Sequence, residues 1–298
     1  MEMERRFGTE AACREYLTKL RWPNGFICPV CHQAGGWLDR RSRWTCQSCR
    51  QQFTVTAGTI FEGTRLPLQL WFRAAWMVTS QKSGASALGL HRVLGFGSYE
   101  TAWSWLHKLR RAMVRPGRDR LKGTVEVDEA LVGGLTAGAD GRDGGGKSLV
   151  AIAAEEDGKG IGRVRLAKII DASAVSLHDF VRQSIEPGSK VHTDGWAPYQ
   201  GIERLGYTHR ITRLKGLEKE AAVELLPRVH RVSSLLKRWL LGTHQGAVSP
   251  EHLAYYLDEF TFRFNRRRSA SRGKLFYRLL QQAVQVGPVT YDALVAKK

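Results

Sequence analysis

Four of the chain's five cysteines fall in one short stretch, CPVCHQAGGWLDRRSRWTCQSC, as two Cys-x-x-Cys pairs. Cys28 and Cys31 form the first pair, Cys46 and Cys49 the second, with fourteen residues between them. That spacing brings four thiolates within reach of one Zn2+, the closed donor set of a structural site. So short a segment buries too little apolar surface to fold unaided, so the metal contributes directly to its folding. Disulfides would use the same residues, but they need an oxidising compartment that nothing else in the sequence supports. Between the pairs, WLDRRSRWTC alternates as a hairpin strand does, which predicts a zinc ribbon. His32 is surplus to four thiolates and reads as an ordinary ribbon residue. Cys13, in the short helical stretch TEAACREYLTKL, reads as a buried small hydrophobe. Arg40, Arg41, Arg43 and Arg50 surround the ribbon and are expected to meet DNA, a solvated basic face being the alternative.

The chain has 298 residues and a net charge of +18, which favours a polyanionic partner. Half of that excess lies in residues 228–298, where thirteen Lys and Arg face four acids. Nucleic acid is the first expectation; a membrane surface or ribosomal RNA are the rivals. No apolar run reaches the roughly 18 residues of a membrane span, and the N-terminus lacks the apolar stretch of a signal peptide. The expected location is therefore the cytoplasm, without membrane association.

Helical spacing of Leu70, Trp71, Ala74, Ala75 and Val78 predicts a helix over 66–81, entered at Pro67. A short glycine-broken helix follows in SGASALGLHRVLGFG. A third runs over 98–114 with Ser98 as its N-cap and Lys108, Arg110 and Arg111 at its basic end. Helix, tight turn and basic helix suggest a helix-turn-helix unit; a plain bundle is the alternative. Pro116 and Gly117 mark a linker.

Beyond residue 123 the period becomes that of strands. VEVDEALVGG, LVAIAAEE and GRVRLAKIID read as strands, SAVSLHDFVRQSI as a helix, KVHTDGWAPY as a strand and turn, and HRITRL as a weak strand. Basic helices follow. This order is that of an α/β, RNase H-like domain. The expected boundaries are 1–65 for a helix plus zinc ribbon, 66–117 for the helical segment and 118–298 for the RNase H-like domain with basic C-terminal helices. GRDGGGKS contains Gly-Lys-Ser but lacks the phosphate-loop spacing, so it reads as a hairpin loop.

Asp128 sits inside the first of these strands and Asp194 at the end of the fourth. Adjacent parallel strands would bring them together, and two acids that close call for cations between them. Two Mg2+ or Mn2+ ions could activate an attacking hydroxyl and stabilise the leaving oxygen. Glu129 should point to the opposite strand face in a structural role, while His192 shares the parity of Asp194. Trp196 and Tyr199 read as core packing, with stacking on a base as the alternative.

The segments RWPNGFICPVCH…CQSC, FTVTAGTIFEGTRLPLQLWF, VEVDEALVGG, HTDGWAPY and LDEFTFRFNRR resemble the IS1595-type (ISXO2-like) insertion-sequence transposases over nearly the whole chain. The resemblance implies a zinc-ribbon N-terminus, an RNase H-like catalytic domain, and divalent-metal-dependent cutting and joining at transposon ends. In many members a Glu stands seven residues before a Lys in the closing helix. Here Lys237 is that Lys and His230 takes the acid's place, thirty-five residues after Asp194. His230 and Lys237 share one helix face. Imidazole suits Mn2+ better than the harder Mg2+. Glu224 is the rival third ligand; Glu218, Glu220 and Glu259 read as surface acids. Lys237 is expected to hold a phosphate.

The implied function is a prokaryotic, nucleoid-associated DNA transposase. It would bind double-stranded DNA, transposon ends and target alike, as a homodimer or larger assembly. Arg266, Arg267 and Arg268 would add phosphate contacts. Two other classes stay open: a non-catalytic DNA-binding regulator derived from a transposase, and a metal-dependent nuclease without strand transfer.

Overall fold

The computed structural model describes residues 2–115, 117–133, 147–212, 225–246, 248–271 and 273–296. The glycine-rich loop and Glu218, Glu220 and Glu224 lie outside the described residues. The chain divides into two compact units, residues 1–115 with 269–298, and residues 116–268.

The first unit begins with α1 (Glu2–Phe7) and α2 (Glu10–Arg21), the latter capped by the Thr9 hydroxyl. A three-stranded antiparallel sheet follows: β1 (Gly36–Leu38), β2 (Arg43–Cys46) and β3 (Gln52–Thr54), in that order. Three helices complete the N-terminal part: α3 (Leu68–Ser80) with Pro67 at its entry, α4 (Ala87–Leu94), and α5 (Tyr99–Ala112). The Ser86 and Ser98 hydroxyls accept from backbone N–H groups in the first turns of α4 and α5. Gly95 ends α4 at φ 66°, where a side chain would be strained. Trp71 of α3 stacks on Trp105 of α5 with ring centroids 3.7 Å apart.

The C-terminal tail belongs to this unit, which corrects the 118–298 boundary at its far end. In α9 (Gly273–Ala283), Leu275, Phe276, Leu279, Leu280 and Ala283 are buried. Phe276 lies 5.7 Å from Phe7, 6.0 Å from Phe72 and 5.7 Å from Trp76. That aromatic cluster is what draws the tail onto α1 and α3. A last short helix, α10 (Tyr291–Val295), also belongs here.

The second unit is a mixed α/β sheet. Its strands are β4 (Thr124–Val132), β5 (Ser148–Asp157), β6 (Gly160–Ile169), β7 (Lys190–Thr193) and β8 (Thr208–Ile211), in the spatial order β6-β5-β4-β7-β8. The first three run antiparallel, whereas β7 lies parallel to β4 and β8 parallel to β7. β5 and β6 are joined through Gly158 at φ 56°, the left-handed conformation a tight hairpin turn requires. On one face α6 (Ala174–Ser184) packs on Val125, Val127, Ala151 and Ala153. On the other, α7 (Pro227–His244) and α8 (Leu253–Phe264) cover Val132, Val150, Ile152 and Ala154. Val229, Val232, Leu236 and Leu240 recur at helical spacing, and this apolar stripe turns the opposite side of α7 outward.

Candidate functional site

The ribbon cysteines close as the spacing predicts. Cys28 and Cys49 Sγ are 3.6 Å apart, as are those of Cys31 and Cys46, and all four sulfurs lie within 4.8 Å of one another. Four thiolates about 2.3 Å from a tetrahedral zinc sit at nearly that spacing. Each pair is the start of the same turn: His32 N–H donates to the Cys28 carbonyl, and Arg50 N–H to that of Cys46. His32 and Arg50 therefore adopt the same left-handed φ, 59° and 62°. Backbone N–H groups of Ser48 and Cys49 point at Cys46 Sγ and, with the neighbouring thiols, pull its pKa down to about 6. Cys13 is apart from this group, and burial pushes its thiol up to about 12.

The second site lies where β4 outruns β7. The parallel register pairs Thr124 with Lys190, Val125 with Val191 and Glu126 with His192. Asp128 stands two residues past the last of these pairs on β4, and Asp194 directly follows the end of β7. Gly195, at φ 78°, turns the chain just there. The Trp196 N–H donates to Asp194 Oδ1 at 2.9 Å and anchors one oxygen of that carboxylate. From the covering helix, His230 brings Nδ1 to 3.7 Å from Asp128 Oδ2. Its buried Nε2 has no hydrogen-bond partner among the described residues.

The electrostatics follow from this crowding. Burial pushes the Asp128 carboxyl up to about 6, with the Asp194 charge adding to it and Lys237 opposing. Burial also lowers the His230 pKa, which keeps its ring neutral with a lone pair to offer. Lys237 lines a groove beside the site with Leu131, Lys147 and Leu241.

Asp128, Asp194 and His230 do not draw their donor atoms within 4.8 Å of one another, as the ribbon cysteines do. A set shared by two ions about 3.5–4 Å apart is wider than a single-ion cage. A tighter group, Glu126, Glu156 and His192, meets that distance. Arg228 already supplies its cation, 2.8 Å from Glu126 and 3.2 Å from Glu156. His192 turns its Nε2 to the Thr212 hydroxyl at 2.7 Å, and a ring nitrogen lies within 4.8 Å of a carboxylate oxygen of Glu126 and of Glu156.

Several expected residues are placed differently. Arg110 is 1% exposed inside the first unit, which removes it from the phosphate contacts. It shares a buried stripe with Leu106 and Leu109 of α5 and with Met113 just after the helix. Arg267 donates to the carbonyls of Gly162 and Phe264 and lies over the Phe264 ring, clamping α8 to β6. Arg268 pairs with Asp157, Arg266 lies over Phe262, and Arg43 pairs with Asp39. Arg40 and Arg41 are exposed, and Lys108 and Arg111 half-buried. Glu259, read as a surface acid, is fully buried against Arg263 at 2.9 Å. Trp196, read as core, is 42% exposed, whereas Tyr199 is buried.

Glu129 points to the face of β4 opposite Asp128, as strand parity predicts. Its Oε2 accepts the Tyr199 hydroxyl at 2.8 Å. Burial first, and then the charges of Asp128 and Asp194, raise its carboxyl to about 7. The two aspartates therefore act on it across the strand.

Comparison with known proteins adds to this geometry. A family model described as the ISXO2-like transposase domain matches residues 120–265, and one described as the transposase zinc-ribbon domain matches residues 8–52. A Halobacterium salinarum protein, described as an uncharacterized protein in transposable element ISH50, is 26% identical over 279 residues, covering 86% of this chain and 91% of that protein. Two solved structures are distant matches at 12% identity. The Mos1 transposase paired-end complex with left transposon end covers 69% of this chain and 77% of its own, with a TM-score of 0.23. The pre-cleavage Mos1 transpososome covers 74% and 79%, with a TM-score of 0.22.

Proposed function

The chain belongs to the IS1595-type, ISXO2-like transposases, and from that membership we propose that it cuts and joins DNA at transposon ends with an Asp128–Asp194–His230 site. The observation that carries the reading is the meeting of three elements at one strand end: Asp128 on β4, Asp194 after β7, and His230 from α7 at 3.7 Å from Asp128. The strand order and the flanking helices fit an RNase H-like domain.

The donor set fits divalent metal. A half-buried Asp128 whose carboxyl resists ionisation, beside a neutral imidazole with an unpartnered nitrogen, gains most from a cation. Mg2+ or Mn2+ would be held by Asp128, Asp194 and His230, and when bound would supply nucleophile activation and charge neutralisation. The chain's own part is placement. The Trp196 N–H fixes the Asp194 carboxylate, the fold of α7 over the sheet aims His230, and Lys237 offers a cation to a phosphate. Water attacks the phosphodiester at the transposon end, and the freed 3′-hydroxyl then attacks target DNA. Both are in-line phosphoryl transfers that depend on positioning and charge. The zinc ribbon, holding structural Zn2+ on Cys28, Cys31, Cys46 and Cys49, and the α4–α5 pair would read the terminal inverted repeats. Pairing two ends calls for at least a dimer.

The test is a strand-transfer assay with the inverted repeats flanking the gene, in Mg2+ and in Mn2+. Joined product is expected, and Asp128→Asn or Asp194→Asn should abolish it. Binding without cleavage in both metals would leave a DNA-binding regulator instead. Cleavage without joined product would leave a nuclease.

A further inference from the structure

We propose that His209 is a positioning residue for Asp194: it locks the Thr193 hydroxyl into the turn that carries that carboxylate, and Glu203 fixes which ring nitrogen bears the hydrogen. The proposal rests on the reading of Asp194 as a metal-binding acid.

Asp194 lies beyond the last residue of β7 that pairs with β8, so the ladder between those strands ends just before it. Two overlapping side-chain turns take over. The Gly195 N–H donates to Thr193 Oγ1 at 3.1 Å, and the Trp196 N–H donates to Asp194 Oδ1 at 2.9 Å. Gly195, at φ 78°, passes between them. The first turn holds only in the Thr193 rotamer that faces Gly195; another staggered rotamer would strand that N–H.

The neighbouring strand supplies the lock. β8 sets His209 opposite Val191, so alternation puts the imidazole and the Thr193 side chain on one face of the sheet. His209 Nε2 lies 2.9 Å from Thr193 Oγ1. Thr193 is fully buried and the imidazole only 1% exposed. On the ring's other side the Glu203 carboxylate stands 3.4 Å from Nδ1, which makes no hydrogen bond among the described residues. A bare lone pair on Nδ1 would face that negative charge, so Nδ1 carries the hydrogen. In the neutral ring Nε2 then accepts. The Thr193 hydroxyl, which already accepts from Gly195, has one hydrogen to give and gives it to Nε2. Every donor from Glu203 to Gly195 is thereby assigned in one direction. Packing alone would be met by an apolar side chain, like Val191 opposite, with no polar group to desolvate.

The experiment measures strand transfer by the full zinc-loaded chain, and Mn2+ binding without DNA by the free-ion signal in electron paramagnetic resonance. His209→Phe keeps a buried ring and removes both nitrogens, His209→Gln keeps a group that accepts from Thr193, and Thr193→Val keeps the shape and removes the hydroxyl. Asp194→Asn is the control, and melting temperature and zinc content report on folding. His209→Phe and Thr193→Val should each lower the joining rate at saturating DNA roughly tenfold, leave the half-saturating DNA concentration unchanged, and weaken Mn2+ binding several-fold. Their double variant should fall no further than either alone, because both break one link. His209→Gln should recover most of the lost rate, and Glu203→Gln should cost less than His209→Phe. Wild-type rate and Mn2+ affinity in His209→Phe, with loss in Asp194→Asn, would overturn the proposal and leave the aspartate site standing. Equal losses in His209→Phe and His209→Gln that track a fall in melting temperature would make His209 a packing residue and overturn it as well. Unchanged rate and affinity in Asp194→Asn would overturn the metal reading itself.

Discussion

At position 230 the question is one of ligand hardness and charge. A neutral imidazole next to Asp128 gives the site one fewer negative charge than a carboxylate would. His230→Glu should therefore shift metal preference toward Mg2+ and retain or raise strand transfer in that metal, whereas His230→Ala should lower it in both. Initial rates across Mg2+ and Mn2+ concentrations measure this, and complete inactivation by the Glu variant would count against His230 as a ligand. Arginines divide in the same way, by environment. Arg110→Ala removes a fully buried side chain and should lower the melting temperature with no change in the salt dependence of DNA binding. Arg41→Ala, at an exposed position, should do the reverse and reduce the slope of log K against log salt by about one. Equal slopes in wild type and Arg41→Ala would remove the ribbon from the phosphate-binding surface. The placement of Arg110 was legible in principle, since 106, 109, 110 and 113 form one helical stripe. A basic cluster near a helix end drew attention away from that spacing.

At the scale of elements, helix entries and the first strands were plain in the sequence. Pro67 and Ser98 lie where α3 and α5 begin, and the period change near residue 123 marks β4. The start of α7 was plain too, at Pro227; its cap was not, because no side chain of α7's own segment caps its N-terminus. The cap comes from another element: Glu126 Oε2 accepts the Arg228 and Val229 N–H groups at 2.7 and 3.0 Å, while Oε1 takes the Arg228 guanidinium at 2.8 Å. A fully buried acid thus fixes the helix that carries His230 to the strand that carries Asp128. Removing one partner leaves an uncompensated buried charge. Arg228→Leu should therefore cost about 3–5 kcal/mol in urea melts. Glu126→Gln should cost less, because the amide oxygen can still accept from the helix, yet it should loosen His230 and lower strand transfer beyond what its stability loss explains. If the two substitutions add without coupling in a double-mutant cycle, the capping account is wrong.

At the scale of the whole molecule, the chain's linear order and its compact units differ. Composition reads residues 228–298 as one basic region, but only the part up to residue 268 belongs with the sheet; the rest completes the unit begun at the N-terminus. Charge could not reveal that division, because the basic residues run through both parts. The apolar spacing of α9 carries the signal, though it says only that the helix needs a partner and not which one. The partner is aromatic: Phe7, Phe72 and Trp76 lie within 6.0 Å of Phe276. Ending the chain after residue 268 strips that cover, and a large aromatic core residue alone is worth about 3–5 kcal/mol. The truncated protein should then lose the cooperative melt of its first unit and bind a hydrophobic dye such as ANS. Its sheet unit should keep a metal-dependent stabilisation, which Asp194→Asn abolishes. If the tail instead completed the sheet unit, as the basic run alone would suggest, truncation would destroy that metal response and leave the first unit's melt intact. Scanning calorimetry of the two lengths, with and without Mn2+, separates these outcomes.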